Sequence, residues 1–149
     1  MPFVWAGPGI AKGKKTDVTV SLIDMYPTFT ELCSLPEPSH HLEGQSIAST
    51  LADPDSAKDR TVYLPYVTPG EYALINRDLR YIHYKDGEEL YDLTTDPNEW
   101  SNLASETNYA DKKEQIKKLA PTNFAPAARK LSINRNLFFE GETFHWRIK

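Results

Sequence analysis

The sequence has one cysteine, no long apolar run and no excess of positive charge, and each shortage argues against a class of protein. Because Cys33 is the only cysteine among 149 residues, no disulfide can form within the chain, and the redox compartment stays open. The 17 lysines and arginines are outnumbered by 21 aspartates and glutamates, and they form no basic stripe of the kind that attracts phosphates. We therefore expect no nucleic-acid partner.

Membrane spans and export signals are also missing from the sequence. No apolar run approaches the roughly 20 residues that cross a bilayer. The N-terminus MPFVWAGPGIAKGKK places its lysines after its apolar residues, which is the reverse of a signal peptide. We expect no membrane association, and we expect one domain because chains of this length bury a sizeable core.

The N-terminal part of the chain predicts a strand followed by a helix. Residues 2–10, PFVWAGPGI, are apolar and β-prone before glycine and proline break the run, which predicts a buried strand with no partner nearby. A helix is predicted over residues 22–33, with a capping box formed by Ser21 and Asp24. Because of Pro27, either its first turn is irregular or the regular helix begins only near the proline. Its apolar positions are Leu22, Tyr26, Phe29 and Cys33.

The middle of the chain predicts a surface crossing and then an antiparallel meander. Residues 36–60 are rich in turn formers, with one short helix predicted around residues 45–51. Four short runs follow, TVYLPYV, EYALIN, RYIHY and ELYDL, each rich in strand-forming residues and bounded by proline, glycine or aspartate. The Asp86-Gly87 pair favours a two-residue hairpin turn with positive φ between the last two runs.

The stretch from Glu89 to Ala104, ELYDLTTDPNEWSNLA, reads as the last strand and the turn after it. Leu90 and Asp92 are expected on one face of that strand, and the turn is expected to bring Trp100 and Leu103 back to the core. A charged helix is predicted over residues 109–119, whereas the end of the chain from residue 122 shows no clear period.

Several of these segments together resemble the C-terminal third of a type I sulfatase, particularly the iduronate-2-sulfatase-like branch. The resemblance rests on PFVWAGPGI, VSLIDMYPTFTELC, LEGQSI and YALINRDLRYIHYKDGEELYDLTTDPNEWSNLA, in unbroken order over about residues 2–120. It implies an α+β fold: an antiparallel meander of about four strands packed with helices, preceded by a strand and helix of the large α/β sulfatase domain. The expected divisions are 1–60 for the end of that domain, 61–121 for the C-terminal subdomain and 122–149 for a tail.

The resemblance also implies chemistry that these residues do not supply. Type I sulfatases convert the first residue of a Cys/Ser-x-Pro-x-Arg motif into formylglycine and use a bound calcium ion, and both are expected upstream in a full-length parent. Cys33 is followed by Ser-Leu-Pro-Glu, so its proline falls one place late and glutamate stands where arginine is required. We therefore expect Cys33 to be a small core residue, no cofactor in this chain and no catalytic residue. The family is often periplasmic, secreted or lysosomal.

Three other groups of candidate ligands or catalysts favour a structural role. Asp53, Asp55 and Asp59 fit part of a calcium loop, but lysine and leucine occupy positions that need glycine and glutamate. The His40-His41 pair lacks a third metal ligand, and His83 alternates within a strand. The lysines of the charged helix, Lys112, Lys113, Lys117 and Lys118, are expected on a solvated face.

The first hairpin loop is the strongest candidate for substrate contact. The resemblance places the hairpins of this subdomain beside the active-site mouth, and such loops carry specificity residues. Tyr66, Thr68, Glu71 and Tyr72 lie there, where aromatic faces can pack on sugar rings and a carboxylate can bind hydroxyls or an amine. Packing of the tyrosines within the hairpin is the alternative.

Two functions remain open from the sequence. The chain is either the C-terminal portion of a sulfuric ester hydrolase acting on sulfated carbohydrate, inactive alone, or a self-standing module that binds a sugar or a protein. An apolar N-terminal strand with an unpaired edge favours the first reading, and it also predicts self-association of the chain.

Overall fold

The computed structural model describes residues 3–124, 126, 135–140 and 143–148, and its centre is the predicted antiparallel meander. The four strands follow each other in chain order, and three short helices accompany them. The strands are β1 (Val62–Pro65), β2 (Tyr72–Ile75), β3 (Leu79–Tyr84) and β4 (Gly87–Asp92), and the helices are α1 (Met25–Leu32), α2 (Ala48–Ala52) and α3 (Ala110–Lys117). The predicted α+β class is confirmed.

The pairing of the last two strands is confirmed, but the predicted turn between them is wrong. Tyr84 pairs with Gly87, so the two loop residues are Lys85 and Asp86 rather than Asp86 and Gly87. Neither loop residue has a positive φ, and Gly87 is not among the glycines with positive φ. In this register Gly87 is the first residue of β4, and it does not adopt a positive φ.

The core lies on one face of the sheet, where α3 packs against β3. Leu74, Tyr81 and Leu90 come from three adjacent strands and are buried, and Ile116 of α3 closes over them. Alternate residues of a strand face the same side, so this set follows directly from the period of the meander. Leu103 packs against the same cluster, as the sequence predicts.

The turn after β4 keeps Trp100 out of the core, contrary to the prediction. The Trp100 side chain is 84% exposed. Asp92 is buried instead: its carboxylate accepts hydrogen bonds from the Thr94 N–H, the Tyr109 hydroxyl and the Lys112 ammonium. A buried polar group needs such partners, and these contacts set the direction of the turn without the tryptophan.

The predicted N-terminal strand is not formed by the described residues 3–10. They carry no ladder hydrogen bonds, and Val4 is 87% exposed. A β-prone run becomes a strand only when a second strand satisfies its backbone groups, and none of the described residues pairs with it. The Gly7 region forms a turn, with the Ile10 N–H directed at the Gly7 carbonyl oxygen.

Helix α1 begins as predicted but buries its polar face. A short 3₁₀ turn, Leu22–Asp24, precedes it, with the expected capping-box residues, and Pro27 falls in its first turn. Asp24 and Thr28 are fully buried, whereas Tyr26 and Phe29 are exposed. The apolar side of the helix therefore does not face a core in the described part of the chain.

The buried polar face of α1 holds the loop before α2. The Asp24 carboxylate accepts the N–H groups of Ser21 and Gln45 at 2.7 and 2.9 Å and pairs with Arg60. The Thr28 hydroxyl accepts the Ile47 N–H at 3.0 Å. DMYPT and LEGQSI, two of the segments on which the family resemblance rests, are thus joined to each other by buried hydrogen bonds.

The last described residues form a separate hairpin. Strands β5 (Arg135–Glu140) and β6 (Thr143–Ile148) pair antiparallel, with Arg135 opposite Ile148. None of the helices in the described ranges has the length and apolar character needed to cross a bilayer.

Candidate functional site

The predicted substrate loop borders a cavity of about 500 Å³. Its wall is built by the end of β1 and the loop after it, by the turn before α1, by the loop before α2 and by the chain after α3. The lining residues that bear on its chemistry are Ser21, Glu43, Tyr63, Tyr66, Thr68, Glu71, Asn123 and Phe124. Ligand pockets commonly measure about 300–1,000 Å³, so this space is large enough for a sugar unit.

The β1–β2 loop has a defined backbone. The Tyr66 N–H donates to the Glu71 carbonyl oxygen at 2.9 Å, and the Glu71 N–H donates to the Thr68 carbonyl oxygen at 3.0 Å. Gly70 has a φ of 87°, which glycine adopts without strain. These contacts close the loop and hold the predicted residues Tyr66, Thr68 and Glu71 along the cavity wall.

Tyr72, the fourth predicted residue, does not line the cavity. It is buried in the core, and burial raises the pKa of its hydroxyl. Its ring stacks on Phe124 with centroids 5.9 Å apart and planes 18° apart, and it lies 5.8 Å from the ring of Tyr63. Tyr72 therefore supports two aromatic residues of the wall from behind.

Glu43 and Phe124 also line the cavity, although no pattern in the sequence marks them as site residues. Glu43 stands in the LEGQSI segment, which signalled the family resemblance but not a contact with a loop more than 20 residues away. Phe124 belongs to the end of the chain from residue 122, where the sequence shows neither a helical nor a strand period. Both reach the cavity through tertiary packing, which no local pattern encodes.

Carboxylates are the charged groups of this wall. Glu71 is half-buried, and its Oε1 lies 3.4 Å from the Lys85 N–H. Burial raises the pKa of the Tyr63 hydroxyl, and the nearby negative charge of Glu43 raises it further. No lysine, arginine or histidine lines the cavity within the described part of the chain. Its surroundings therefore favour hydroxyl and ammonium groups over anions.

The other predicted candidates are dispersed and do not form a catalytic cluster. Cys33 caps the end of α1 and is exposed, so the expectation that it is a core residue is wrong. The Asp59 carboxylate accepts the N–H groups of Thr19 and Arg77, both at 2.9 Å, and thereby ties two loops together. Burial opposes ionisation of Asp59, but these amide hydrogen bonds outweigh it and lower the pKa of the carboxyl.

Of the four lysines predicted on a solvated face, Lys112 and Lys118 are exposed, whereas Lys113 and Lys117 are half-buried. The Lys113 ammonium contacts the Glu88 carboxylate at 2.5 Å and the Ala104 carbonyl oxygen at 2.7 Å. The hydroxyl of Tyr81 donates to the same carboxylate at 2.9 Å. This network joins α3 to β3 and β4, and it lies outside the cavity described above.

The residues present do not fit the calcium ion and formylglycine of the resembled family. No group of three or more potential ligands among the described histidine, cysteine, aspartate and glutamate residues is arranged around a metal position. Asp55 contacts Lys14, and Asp59 is occupied by backbone amides. Residues 34–38, Ser-Leu-Pro-Glu-Pro, match the start of the formylglycine motif but have proline in place of the required arginine.

Comparisons with known proteins agree on one family. Residues 1–123 match the family described as N-sulphoglucosamine sulphohydrolase, C-terminal. A sulfatase of Formosa agariphila is 36% identical over 121 residues, covering 80% of this chain and 24% of that protein. A Δ4,5-hexuronate-2-O-sulfatase of Bacteroides thetaiotaomicron is 35% identical over 127 residues, covering 74% of this chain and 25% of that protein.

Solved structures give the same result. A 2-O GAG sulfatase superposes with a TM-score of 0.62 at 31% identity, covering 76% of this chain and 27% of that one. A second structure, determined with its substrate D-glucosamine-2-N,6-O-disulfate, superposes with a TM-score of 0.55 at 26% identity, covering 64% of this chain and 22% of that one. The chain spans about a quarter of the length of these relatives.

Proposed function

We propose a function for this chain from its family: it belongs to the family described as N-sulphoglucosamine sulphohydrolase, C-terminal. In this proposal the chain forms the part of a sulfatase that contacts the substrate, and that sulfatase acts on sulfated carbohydrate. The observation that carries this proposal is the cavity bordered by Tyr66, Thr68 and Glu71. Catalysis would belong to a formylglycine residue and a calcium ion held by other residues of the sulfatase.

The division of labour follows from the chemistry of sulfate ester hydrolysis. The reaction needs a nucleophile and positive charge to stabilise the developing oxyanion. The cavity wall offers hydroxyls, aromatic rings and carboxylates, and these groups bind sugar hydroxyls and ring faces without stabilising negative charge. We infer that the chain contributes binding energy for the non-reacting part of the substrate.

The family relatives support a carbohydrate substrate. One is named as a hexuronate-2-O-sulfatase, and one structure contains a disulfated glucosamine described as its substrate. By extension, the same class of sulfated sugar is proposed for the sulfatase that carries this chain.

The first test is hydrolysis of a small aryl sulfate by the purified chain, with and without added calcium. We expect no turnover above a buffer blank, because the chain has no complete formylglycine motif. Turnover that persists after rigorous removal of contaminating sulfatases would contradict the proposal. The DNA next to this coding region offers a second test: an adjoining sulfatase N-terminal half supports the proposal, and its absence supports a self-standing binding module.

A further inference from the structure

We propose that the cavity receives a sugar unit presenting hydroxyl or ammonium groups and binds one that carries a carboxylate or an additional sulfate more weakly. The inference rests on the proposed function and specifies the substrate class at this wall. The cavity wall carries negative charge, because Glu43 and Glu71 both line it.

The shape of the wall suits a pyranose ring. Phe124 is 39% exposed, so part of its ring is free to contact a ligand. Its orientation is fixed from behind by the stack on Tyr72, and Tyr66 is held by Tyr84 with centroids 6.0 Å apart. A rigid aromatic surface binds the apolar face of a sugar at little cost in conformational entropy.

The polar groups around this aromatic surface set the preference for charge. The carboxylates of Glu43 and Glu71 accept hydrogen bonds from hydroxyl and ammonium groups but offer none to a carboxylate or sulfate. Thr68 and Asn123 add neutral hydrogen-bonding groups. An anionic sugar here would meet like charge without a compensating cation from the described lining residues.

One basic side chain lies within ion-pair distance of these carboxylates among the described residues. His41 lies 3.9 Å from Glu43, and both side chains are more than 80% exposed. Water and salt screen charges at such exposed positions, and this weakens the effect of Glu43 as well, so the half-buried Glu71 carries most of the preference. Glu71 has no side-chain ion pair among the described residues, and its Oε1 is contacted by the Lys85 N–H at 3.4 Å, so its charge remains available to a ligand.

The test is an NMR titration of the full chain with three matched probes: methyl β-D-glucoside, methyl β-D-glucosaminide and methyl β-D-glucuronide. We expect the neutral and ammonium sugars to shift the amide signals of residues 66–71 and 123–124. The glucuronide should bind about tenfold more weakly than the glucosaminide, a difference of about 1.4 kcal/mol.

The double variant Glu43→Gln/Glu71→Gln should reduce that tenfold preference to about twofold, since it removes both charges and keeps the shape of the side chains. Glu106→Gln is the matched control, because Glu106 is exposed and does not line the cavity. Equal or tighter binding of the glucuronide, an unchanged preference in the double variant, or no shift with any sugar would overturn the inference. Hydrolysis is not measured here, so such failure would leave the sulfatase assignment standing.

Discussion

At the residue scale, Gly44 shows how one position controls the packing of two family segments. A Cβ atom at Gly44 would lie 2.1 Å from the carbonyl oxygen of Ile23 and 2.6 Å from its carbonyl carbon. Both are backbone atoms, so no side-chain rotation can relieve the contact. Glycine is required because the loop before α2 presses directly on the chain that enters α1.

We therefore predict that Gly44→Ala destabilises the chain by about 3 kcal/mol, through overpacking and loss of the nearby hydrogen bonds of Asp24. The measurement is the free energy of unfolding from urea titration. Gly87→Ala is the control, because an added Cβ meets no atom within 4 Å there. Equal loss of stability in the two variants would contradict the close contact.

At the element scale, the meander was predictable because its information is local. Within each strand alternate residues share one face of the sheet, and the cross-strand neighbours Leu74, Tyr81 and Leu90 lie together on the core face. The exposure of Trp100 and Cys33 was not predictable in this way, because it depends on which partner covers each side chain. In the cavity, Tyr66, Thr68 and Glu71 came from a loop pattern, whereas Phe124 had no local signal.

The contact between α3 and the sheet predicts a pH dependence of stability. The hydrogen bond from Lys113 to Glu88 lowers the pKa of that carboxyl, with further lowering by Tyr81 and Lys117 against the opposing effect of burial. A carboxyl whose pKa falls on folding stabilises the folded state above its unfolded pKa, and this contribution is lost as the pH falls through the folded pKa.

We expect the urea midpoint of the chain to fall as the pH is lowered below about 4.5, the ordinary range for glutamate. Glu88→Gln should lower the midpoint at pH 7 and make the acid-induced fall shallower. Asp92 and Asp59 also have lowered pKa values, so part of the fall should remain. If the urea midpoint of Glu88→Gln depended on pH in the same way as that of the wild type, Glu88 would not contribute to the loss of stability at low pH.

At the scale of the whole molecule, apolar side chains remain uncovered at the N-terminal end. They come from the N-terminal run, the turn before α1 and α1 itself: Val4, Leu22, Ile23, Tyr26 and Phe29. Monomeric proteins rarely leave large continuous apolar patches in water. The predicted self-association of the chain remains a proposal, and exposed side chains rather than a strand edge now support it.

We predict that the purified chain forms dimers or larger species whose proportion rises with concentration, measured by light scattering coupled to size exclusion. The variant Val4→Ser/Leu22→Ser should shift the population towards monomer by removing apolar area. Val67→Ser is a suitable control, because Val67 is 99% exposed in the β1–β2 loop. A wild-type chain that stays monomeric at high concentration would refute this prediction.

The cavity combines residues from all three predicted segments, since Glu43, Glu71 and Phe124 lie on different ones. The predicted divisions at residues 60 and 121 therefore separate parts that share one wall. We propose that these segments act together in holding the sugar, while the sulfate is processed elsewhere in the sulfatase.

The most direct test of this account is the kinetics of Glu71→Ala in the sulfatase polypeptide that contains these residues, measured on a sulfated disaccharide and on a small aryl sulfate. The account predicts a KM for the disaccharide raised about tenfold with kcat retained, and unchanged kinetics on the aryl sulfate, because the loop binds only the non-reacting part of the substrate. Glu106→Ala should leave both substrates unaffected. Equal loss of activity on the two substrates, or no change on either, would contradict a substrate-binding role for this cavity.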